Sequence, residues 1–231
     1  MEFPDPLLRG RLIKRYKRFM ADVVLDSGNT VTAHCANTGA MLGVQEPDSE
    51  VWLSPARNPD RKLKFTWELI RIGDGLVGIN TAHPNKIVSE AIEGGRIPEL
   101  GGYAHLRREV KYGKKSRIDI LLSDDGRPDC YLEIKNVHLM RKAGLAEFPD
   151  SVSTRAAKHQ GELAEMVKQG ARAVTMYLCQ REDCDSFALA GDIDPDYAAA
   201  AARAAGVESL CYACTLTREG ITVARRIQIS P

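Results

Sequence analysis

Two segments, Ser116-Arg117-Ile118-Asp119-Ile120-Leu121-Leu122 and Cys130-Tyr131-Leu132-Glu133-Ile134-Lys135-Asn136-Val137, decide how the chain is read. Apolar and β-branched residues run through each and turn formers bound each, so both read as strands. Ser123-Asp124-Asp125-Gly126-Arg127-Pro128-Asp129 between them is dense in turn residues, which makes the pair a hairpin. Side chains alternate faces along a strand. Tyr131, Glu133, Lys135 and Val137 therefore share one face, and Leu132, Ile134 and Asn136 the other. A register that sets Asp119 beside Glu133 puts two carboxylates and one ammonium on one patch of sheet. Close carboxylates disfavour each other's ionisation, and a divalent cation removes that conflict. Mg²⁺ suits because it takes few protein carboxylates and keeps several waters; Mn²⁺ is the alternative. A lysine beside such a metal can orient a water or stabilise charge on a phosphate.

The plain alternative is a sheet with one wet face. What separates this pattern from it is the combination: an acid on one strand, Glu-x-Lys on the next, and a helix carrying Arg155, Lys158 and His159 soon after. That helix runs from Thr154 to about Gln169, with Ser153 as its cap. Ala156, Leu163, Ala164 and Val167 form its buried face. Arg155, Lys158, His159 and Glu162 follow i, i+3, i+4, i+7 spacing on another face, so three candidate phosphate contacts share one row. A solvated face with Glu162 as ion-pair partner is the competing reading. Glu109, on a strand from Leu106 to Tyr112, either adds a third carboxylate or neutralises its basic neighbours.

The chain has 231 residues, 44% apolar and 27% charged, with 32 basic and 31 acidic side chains and a net charge of +1. That length allows one large or two small domains. Global charge does not signal a polyanion partner; local charge does. Arg9, Arg11, Lys14, Arg15, Lys17 and Arg18 cluster, with no acid from Ile13 to Ala21, and Arg107, Arg108, Lys111, Lys114, Lys115 and Arg117 crowd ahead of Asp119. Both stretches suit a polyanion groove. Equally, strand edges carry Lys and Arg to remain unpaired. No apolar run reaches the ~20 residues of a membrane span, and the N-terminus lacks signal-peptide order. The expected location is cytoplasmic, with the six cysteines reduced. Cys179, Cys184, Cys211 and Cys214 read as buried structural thiols rather than zinc ligands, because a three-residue offset in a strand puts Cys211 and Cys214 on opposite faces.

From about Leu7 to Thr81 the chain reads as five or six short strands: Leu8–Ile13, Phe19–Leu25, Thr30–Cys35, Glu50–Leu53, Leu63–Ile72 and Leu76–Ile79. Without a helix, they point to a small oligonucleotide-binding (OB) type barrel, which grips single strands through basic and aromatic side chains. Tyr16, Phe19, Trp52, Phe65 and Trp67 are the stacking candidates; only one or two are expected outside the core. Arg15, Lys17 and Arg18 are the barrel's candidate nucleic-acid contacts. A helix opens at His83-Pro84-Asn85, and the boundary is set at 82: residues 1–82 a barrel, 83–231 an α/β domain. Leu139 to Ser153 reads as a long irregular stretch of the kind that forms lids. A buried strand at Ala173–Cys179, a helix opened by Asp194-Pro195, and strands at Glu208–Leu216 and Ile221–Ile229 complete an α/β organisation.

Asp119, Glu133-x-Lys135, the basic-faced helix and the buried strand together resemble the PD-(D/E)xK nuclease superfamily. The chain as a whole resembles the sugar fermentation stimulation protein A family of prokaryotes. The matching pieces include Arg15-Tyr-Lys-Arg18-Phe19, Ala36-Asn37-Thr38-Gly39, Ser116-Arg117-Ile-Asp119, Leu132-Glu133-Ile-Lys135-Asn136-Val137 and Arg155-x-x-Lys158-His159. The resemblance implies an OB-fold followed by a nuclease-like mixed sheet with flanking helices. It also implies DNA binding and a regulatory link to sugar (maltose) metabolism. By the same resemblance Asp119 and Glu133 would ligate Mg²⁺ and Lys135 would sit by the attacking water. Ser116, Arg117 and Asn136 would support the site, while Arg155, Lys158 and His159 would contact the phosphodiester. One departure is that Arg117-Ile118, not proline, precede Asp119.

Two functions follow as expectations. One is a Mg²⁺-dependent phosphodiesterase on nucleic acid. The other is a non-catalytic DNA-binding regulator on a nuclease scaffold. A sugar-metabolising enzyme ranks below both, for want of a phosphate-cradling glycine loop. The expected partner is DNA, single- or double-stranded, with RNA also open; a homodimer is compatible and no membrane is involved.

Overall fold

In a computed structural model that describes residues 1–113 and 116–230, the chain begins with six strands: β1 (Leu8–Tyr16), β2 (Met20–Leu25), β3 (Thr30–Cys35), β4 (Glu50–Pro55), β5 (Phe65–Ile72) and β6 (Gly75–Gly78). They lie in the order β3-β2-β1-β4-β5-β6. β3 also pairs in parallel with β5, from Ala33↔Phe65 to Cys35↔Trp67, and this closes the first five strands into a barrel. Closure removes the open edges that a sheet of short strands would expose. Alternation fills the interior: Leu12, Val23, Ala33, Leu53, Trp67 and Ile70 point inward. Gly10 is required by a close approach, because a Cβ there would lie 2.6 Å from both the Val23 side chain and the Val24 carbonyl.

The chain then forms α1 (Pro84–Glu93), a 3-10 turn at Pro98–Leu100, and a six-stranded sheet. Strands β7 (His105–Tyr112), β8 (Ser116–Asp124) and β9 (Arg127–Val137) form a meander. β10 (Leu139–Lys142) and β11 (Gly144–Phe148) follow, then α2 (Thr154–Lys168), β12 (Arg172–Cys179), β13 (Cys184–Leu189), α3 (Pro195–Arg203), β14 (Glu208–Leu216), β15 (Ile221–Arg226) and β16 (Gln228–Ile229). The large sheet has the order β15-β14-β12-β9-β8-β7, with β9, β12 and β14 parallel. One face packs α1 through Ile87, Val88 and Ala91. The other packs α2 through Leu163 and Met166. Residues of β12 are buried throughout except Arg172, as a strand covered on both faces should be.

Three sequence readings are corrected. The hairpin break is not the whole of Ser123–Asp129: β8 and β9 run on until Asp124 pairs with Arg127, leaving Asp125-Gly126 as the turn. The stretch Leu139 to Ser153 is not wholly irregular. Leu139–Lys142 and Gly144–Phe148 form β10 and β11 in a second sheet ordered β10-β11-β13-β16, with Ala143 in the turn and Gly144 at φ +79°. Arg141, in this stretch, pairs with Glu147 and Asp192, so its charge is held within the sheet. Finally, the buried face of α2 is Ala156, His159, Gln160, Leu163 and Met166, so His159 lies on the inside of the helix. Ser153 does cap α2, its Oγ accepting the Ala156 N–H at 3.2 Å.

The six cysteines are free and buried. Cys211 and Cys214 lie in different core clusters on opposite faces of β14. Of the five barrel aromatics, Trp52 and Trp67 are core, and Phe19 is the one large apolar ring left open, 49% exposed.

Candidate active site

Asp119 and Glu133 meet because of register. β8 pairs with β9 up to Ile120↔Leu132, so the next step sets Asp119 opposite Glu133. There the ladder stops, and the Asp119 side chain takes over: Oδ2 accepts the Ile134 N–H at 2.7 Å. Its other oxygen, Oδ1, accepts from Asn85 Nδ2 at 3.0 Å, and the same nitrogen donates to Glu109 Oε1 at 3.0 Å. Glu109 lies between the pairs Arg108↔Ile120 and Val110↔Ile118, opposite Asp119, and holds φ +55°. A left-handed backbone on a non-glycine residue costs of order 1 kcal/mol or more and marks a place where function or packing imposes the conformation. Three neighbouring strands thus each bring one carboxylate to one corner of the sheet.

Glu133 and Lys135 sit on the α2 face of β9 and are 4% and 8% exposed. Glu133 Oε1 accepts from Lys135 Nζ at 2.8 Å and from His159 Nδ1 at 2.5 Å. Burial works against the Glu133 charge, but the His159 hydrogen bond and the Lys135 charge and hydrogen bond outweigh it, and its carboxyl is held below the usual glutamate range. Asp119 has the opposite balance. Burial, then the charge of Glu133, pushes its pKa up to about 6 despite the Ile134 and Asn85 hydrogen bonds. Glu133 Oε2 is buried with no hydrogen-bond partner among the described residues. A buried carboxylate oxygen left without a donor is costly, and a water or a cation from outside the chain would satisfy it.

These groups form the floor of a cleft of about 850 Å³ between barrel and sheet. Its barrel side carries Arg18, Asn37, Thr38, Gly39 and Thr81; its other side carries Pro149 to Ser153 and Arg155. A second hollow of about 670 Å³ holds Ser116, Arg117, Arg155 and Lys158, and it shares Glu109, Arg155 and His159 with the first. The expected basic row therefore divides. Arg155, Lys158 and Arg117 are exposed along one continuous groove, with Lys158 Nζ 3.4 Å from Ser116 Oγ and 3.2 Å from Glu162. His159 is turned inward against Glu133. The i+4 spacing from Arg155 suggested a shared row, but the helix packs that position on the sheet.

The barrel residues divide too. Arg15 is partly buried and its two Nη atoms hold Gln45 and the carbonyls of Arg18, Asn37 and Gly39, so it shapes the loop that walls the cleft. Arg18 lines the cleft, while Lys17 is exposed in the same β1–β2 turn; both have positive φ. Arg9 and Arg11 are engaged with Asp26, Glu50 and Asp48. Arg107, Arg108 and Lys111 lie exposed on edge strand β7, and Lys114 and Lys115 lie outside the described residues. Asn136 lines the cleft and joins a polar chain: its Oδ1 accepts from Gln180, its Nδ2 faces His138, and His138 Nε2 is 3.2 Å from Asp150.

Asn85, His138, Asp150 and Gln160 were not foreseen. Asn85 had a signal, since an amide just after Pro84 in a first helical turn faces whatever lies at that helix end. Asp150 and His138 had none, because their partners come from other elements. Gln160, which donates to Thr175 and Tyr197 beneath Glu133, was hidden by its place in a polar run.

The described residues contain no group of three or more His, Cys, Asp or Glu side chains arranged to close around a metal ion. The donor chemistry still fits a hard divalent cation: oxygen atoms from Asp119 and Glu133, one of them unpartnered, and room for water in the cleft. No helix among the described residues is long and apolar enough to cross a membrane.

Two family models match the chain. A family model described as "SfsA N-terminal OB domain" matches residues 13–79. A second, "Sugar fermentation stimulation protein RE domain", matches residues 82–220. The chain is 59% identical over 223 residues to a sugar fermentation stimulation protein homolog of Paramagnetospirillum magneticum, covering 96% of this chain and 94% of the relative. It is 57% identical to the homolog of Rhodospirillum rubrum, covering 99% of each. Among solved structures it resembles "The structure of Pyrococcus Furiosus SfsA in complex with Ca2+", with a TM-score of 0.89 and 24% identity over 100% of this chain and 98% of that one.

Proposed function

The chain belongs to the sugar fermentation stimulation protein family, and within it we propose a divalent-metal-dependent phosphodiesterase acting on nucleic acid. The observation that carries this reading is the buried, unpartnered Glu133 Oε2 beside Asp119 and Lys135 in a cleft walled by Arg18 and Arg155. Asp119 and Glu133 would hold the cation, Mg²⁺ being the first choice and Mn²⁺ the second; the Pyrococcus relative was solved with Ca²⁺. When bound, such a cation supplies positive charge where a phosphate becomes more negative. Lys135 Nζ, held at 2.8 Å by Glu133, is a donor fixed at the cleft floor that can orient a water toward phosphorus. Arg155, Lys158 and Arg117 line the groove along which a phosphate backbone would run, and Arg18 faces it from the barrel. DNA is the first expected substrate and RNA the second.

One observation favours a second reading. Lys135 and His159 both hold Glu133 Oε1, and no three-ligand cluster is closed among the described residues. A protein that binds DNA through this groove without cutting it, as a regulator of sugar metabolism, would also have these features.

The deciding experiment is cleavage of labelled single- and double-stranded DNA and RNA with Mg²⁺, Mn²⁺ or EDTA, by wild type and Glu133→Ala. Metal-dependent cleavage lost in the variant, with binding kept, is the expected result. Binding with no cleavage under any metal would leave the regulator.

A further inference from the structure

His159 is 5% exposed, on the inner face of α2. Its ring has a partner on each nitrogen: Nδ1 lies 2.5 Å from Glu133 Oε1, and Nε2 lies 3.4 Å from Arg155 Nε. Arginine only donates, so Nε2 is the accepting nitrogen and Nδ1 carries the proton that Glu133 accepts. The neighbouring nitrogen thereby sets the tautomer, as it does for imidazoles that orient metal ligands. Lys135 holds the same Glu133 oxygen. With Oε1 fixed from two sides, the carboxylate cannot rotate, and Oε2 is kept bare. Arg155 uses only its Nε on His159. Its Nη atoms have no partner among the described residues, and the side chain is open to both hollows of the groove.

We propose that His159 is a positioning residue: it aims Glu133 Oε2 at a divalent cation, and through Arg155 it links that aim to a phosphate held on the guanidinium. The proposal rests on the metal-dependent reading above and departs from the expectation that His159 itself touches the phosphodiester. Arg155 can keep its Nε on His159 while its Nη pair meets a phosphate, since the guanidinium fork has donors for both. The chain phosphate, Arg155, His159, Glu133, cation then couples two ligands, and such coupling is reciprocal. Each ligand must tighten the other by the same factor.

The test measures Ca²⁺ binding by calorimetry, with and without a ten-nucleotide single-stranded DNA, for wild type, His159→Phe, His159→Asn and Arg155→Leu. Circular dichroism and thermal unfolding check the fold of each. In wild type the DNA tightens Ca²⁺ several-fold. His159→Phe weakens Ca²⁺ about 10-fold or more, the usual scale for losing a group that orients a ligand, while metal-free DNA affinity stays within about two-fold. His159→Asn, whose amide can donate in place of Nδ1, recovers most of the Ca²⁺ affinity. Arg155→Leu keeps near-normal Ca²⁺ affinity without DNA and loses the coupling. Wild-type Ca²⁺ affinity in His159→Phe, or a large loss of metal-free DNA affinity there, overturns the inference and leaves the nuclease reading standing. Absence of Ca²⁺ binding in wild type overturns both.

Discussion

The carboxylate of Asp150 accepts the backbone N–H of Met41 at 2.8 Å, joining residues 109 positions apart and tying the barrel's loop to the wall of the cleft. His138 and Ser151 also hold this carboxylate. Burial opposes its charge, but the His138 hydrogen bond and charge, with the Met41 N–H, keep its carboxyl below the usual aspartate range. Asp150→Ala strips several hydrogen bonds from a partly buried group and is expected to cost about 1–3 kcal/mol. Urea unfolding measures the loss, and faster amide exchange at Met41 locates it.

Gly39 tests the same joint from the other side. A Cβ at this position would lie 2.5 Å from Asp150 Oδ2. Gly39→Ala must therefore push Asp150 away. A destabilisation of about 1–2 kcal/mol is expected, and combining it with Asp150→Ala should cost clearly less than the sum, because the two changes share one contact. A double-mutant cycle by urea unfolding decides this.

Asp119 stores unfavourable charge. With its pKa at about 6 in the fold and 3.8 as the ordinary value, the folded state binds this proton more tightly than the unfolded chain does. Its contribution to stability is then greatest below about pH 4, falls as pH rises toward 6, and is flat above. Asp119→Asn removes the charge and keeps the shape. At pH 7.5 the variant is expected to be more stable than wild type by about 1–2 kcal/mol, with the difference fading near pH 4. Urea titrations at the two pH values check the sign.

Glu68 runs the other way. It is buried and accepts from Ser54, Asn80 and His83 at 2.6, 2.7 and 2.7 Å. Burial raises its pKa, but the His83 hydrogen bond and charge, then Ser54 and Asn80, more than compensate, and it falls below the model-compound value of 4.5. A depressed carboxyl stabilises the fold above its unfolded value, and that stabilisation is lost as pH falls through the folded value. Glu68→Gln is expected to lose about 2 kcal/mol at pH 7 and to flatten the acid limb of the stability curve. Chemical unfolding from pH 7 to pH 3 records it.

Lys158 and Arg117 should act only through phosphate. Replacing either by Ala is expected to weaken nucleic-acid binding evenly across sequences and to lower the salt slope by about 1. Anisotropy titrations at several salt concentrations measure both.

Much of this architecture was legible in the sequence because it rests on short-range rules. Runs of apolar and β-branched residues defined the barrel strands; Ser153 and Asp194 marked the starts of helices that indeed begin after them. The Asp119–Glu133 neighbourhood followed from hairpin logic. What escaped were partners set by tertiary packing. Nothing near His159 in the chain says that α2 turns it onto Glu133. Nothing near Arg15 says that its guanidinium braces three carbonyls. The strand at Gly144–Phe148 was hidden because Arg141 beside it is neutralised by Asp192, far along the chain.

Glu133 and Lys135 lie on β9, which pairs with β12 from Cys130 to Val137, and with β8 as far as Leu132, beyond which Asp119 takes the Ile134 N–H. Interior strands open only when the whole domain opens, whereas helix faces and turns breathe locally. The consequence is a division by timescale. Amide protons around the Glu-x-Lys pair should be among the last in the molecule to exchange, while the exposed side chains of Arg18 and Arg117 should be free to change rotamer. Under the proposed function, a phosphate polymer would meet exposed, adaptable side chains at the rim and groups of one fixed geometry at the floor.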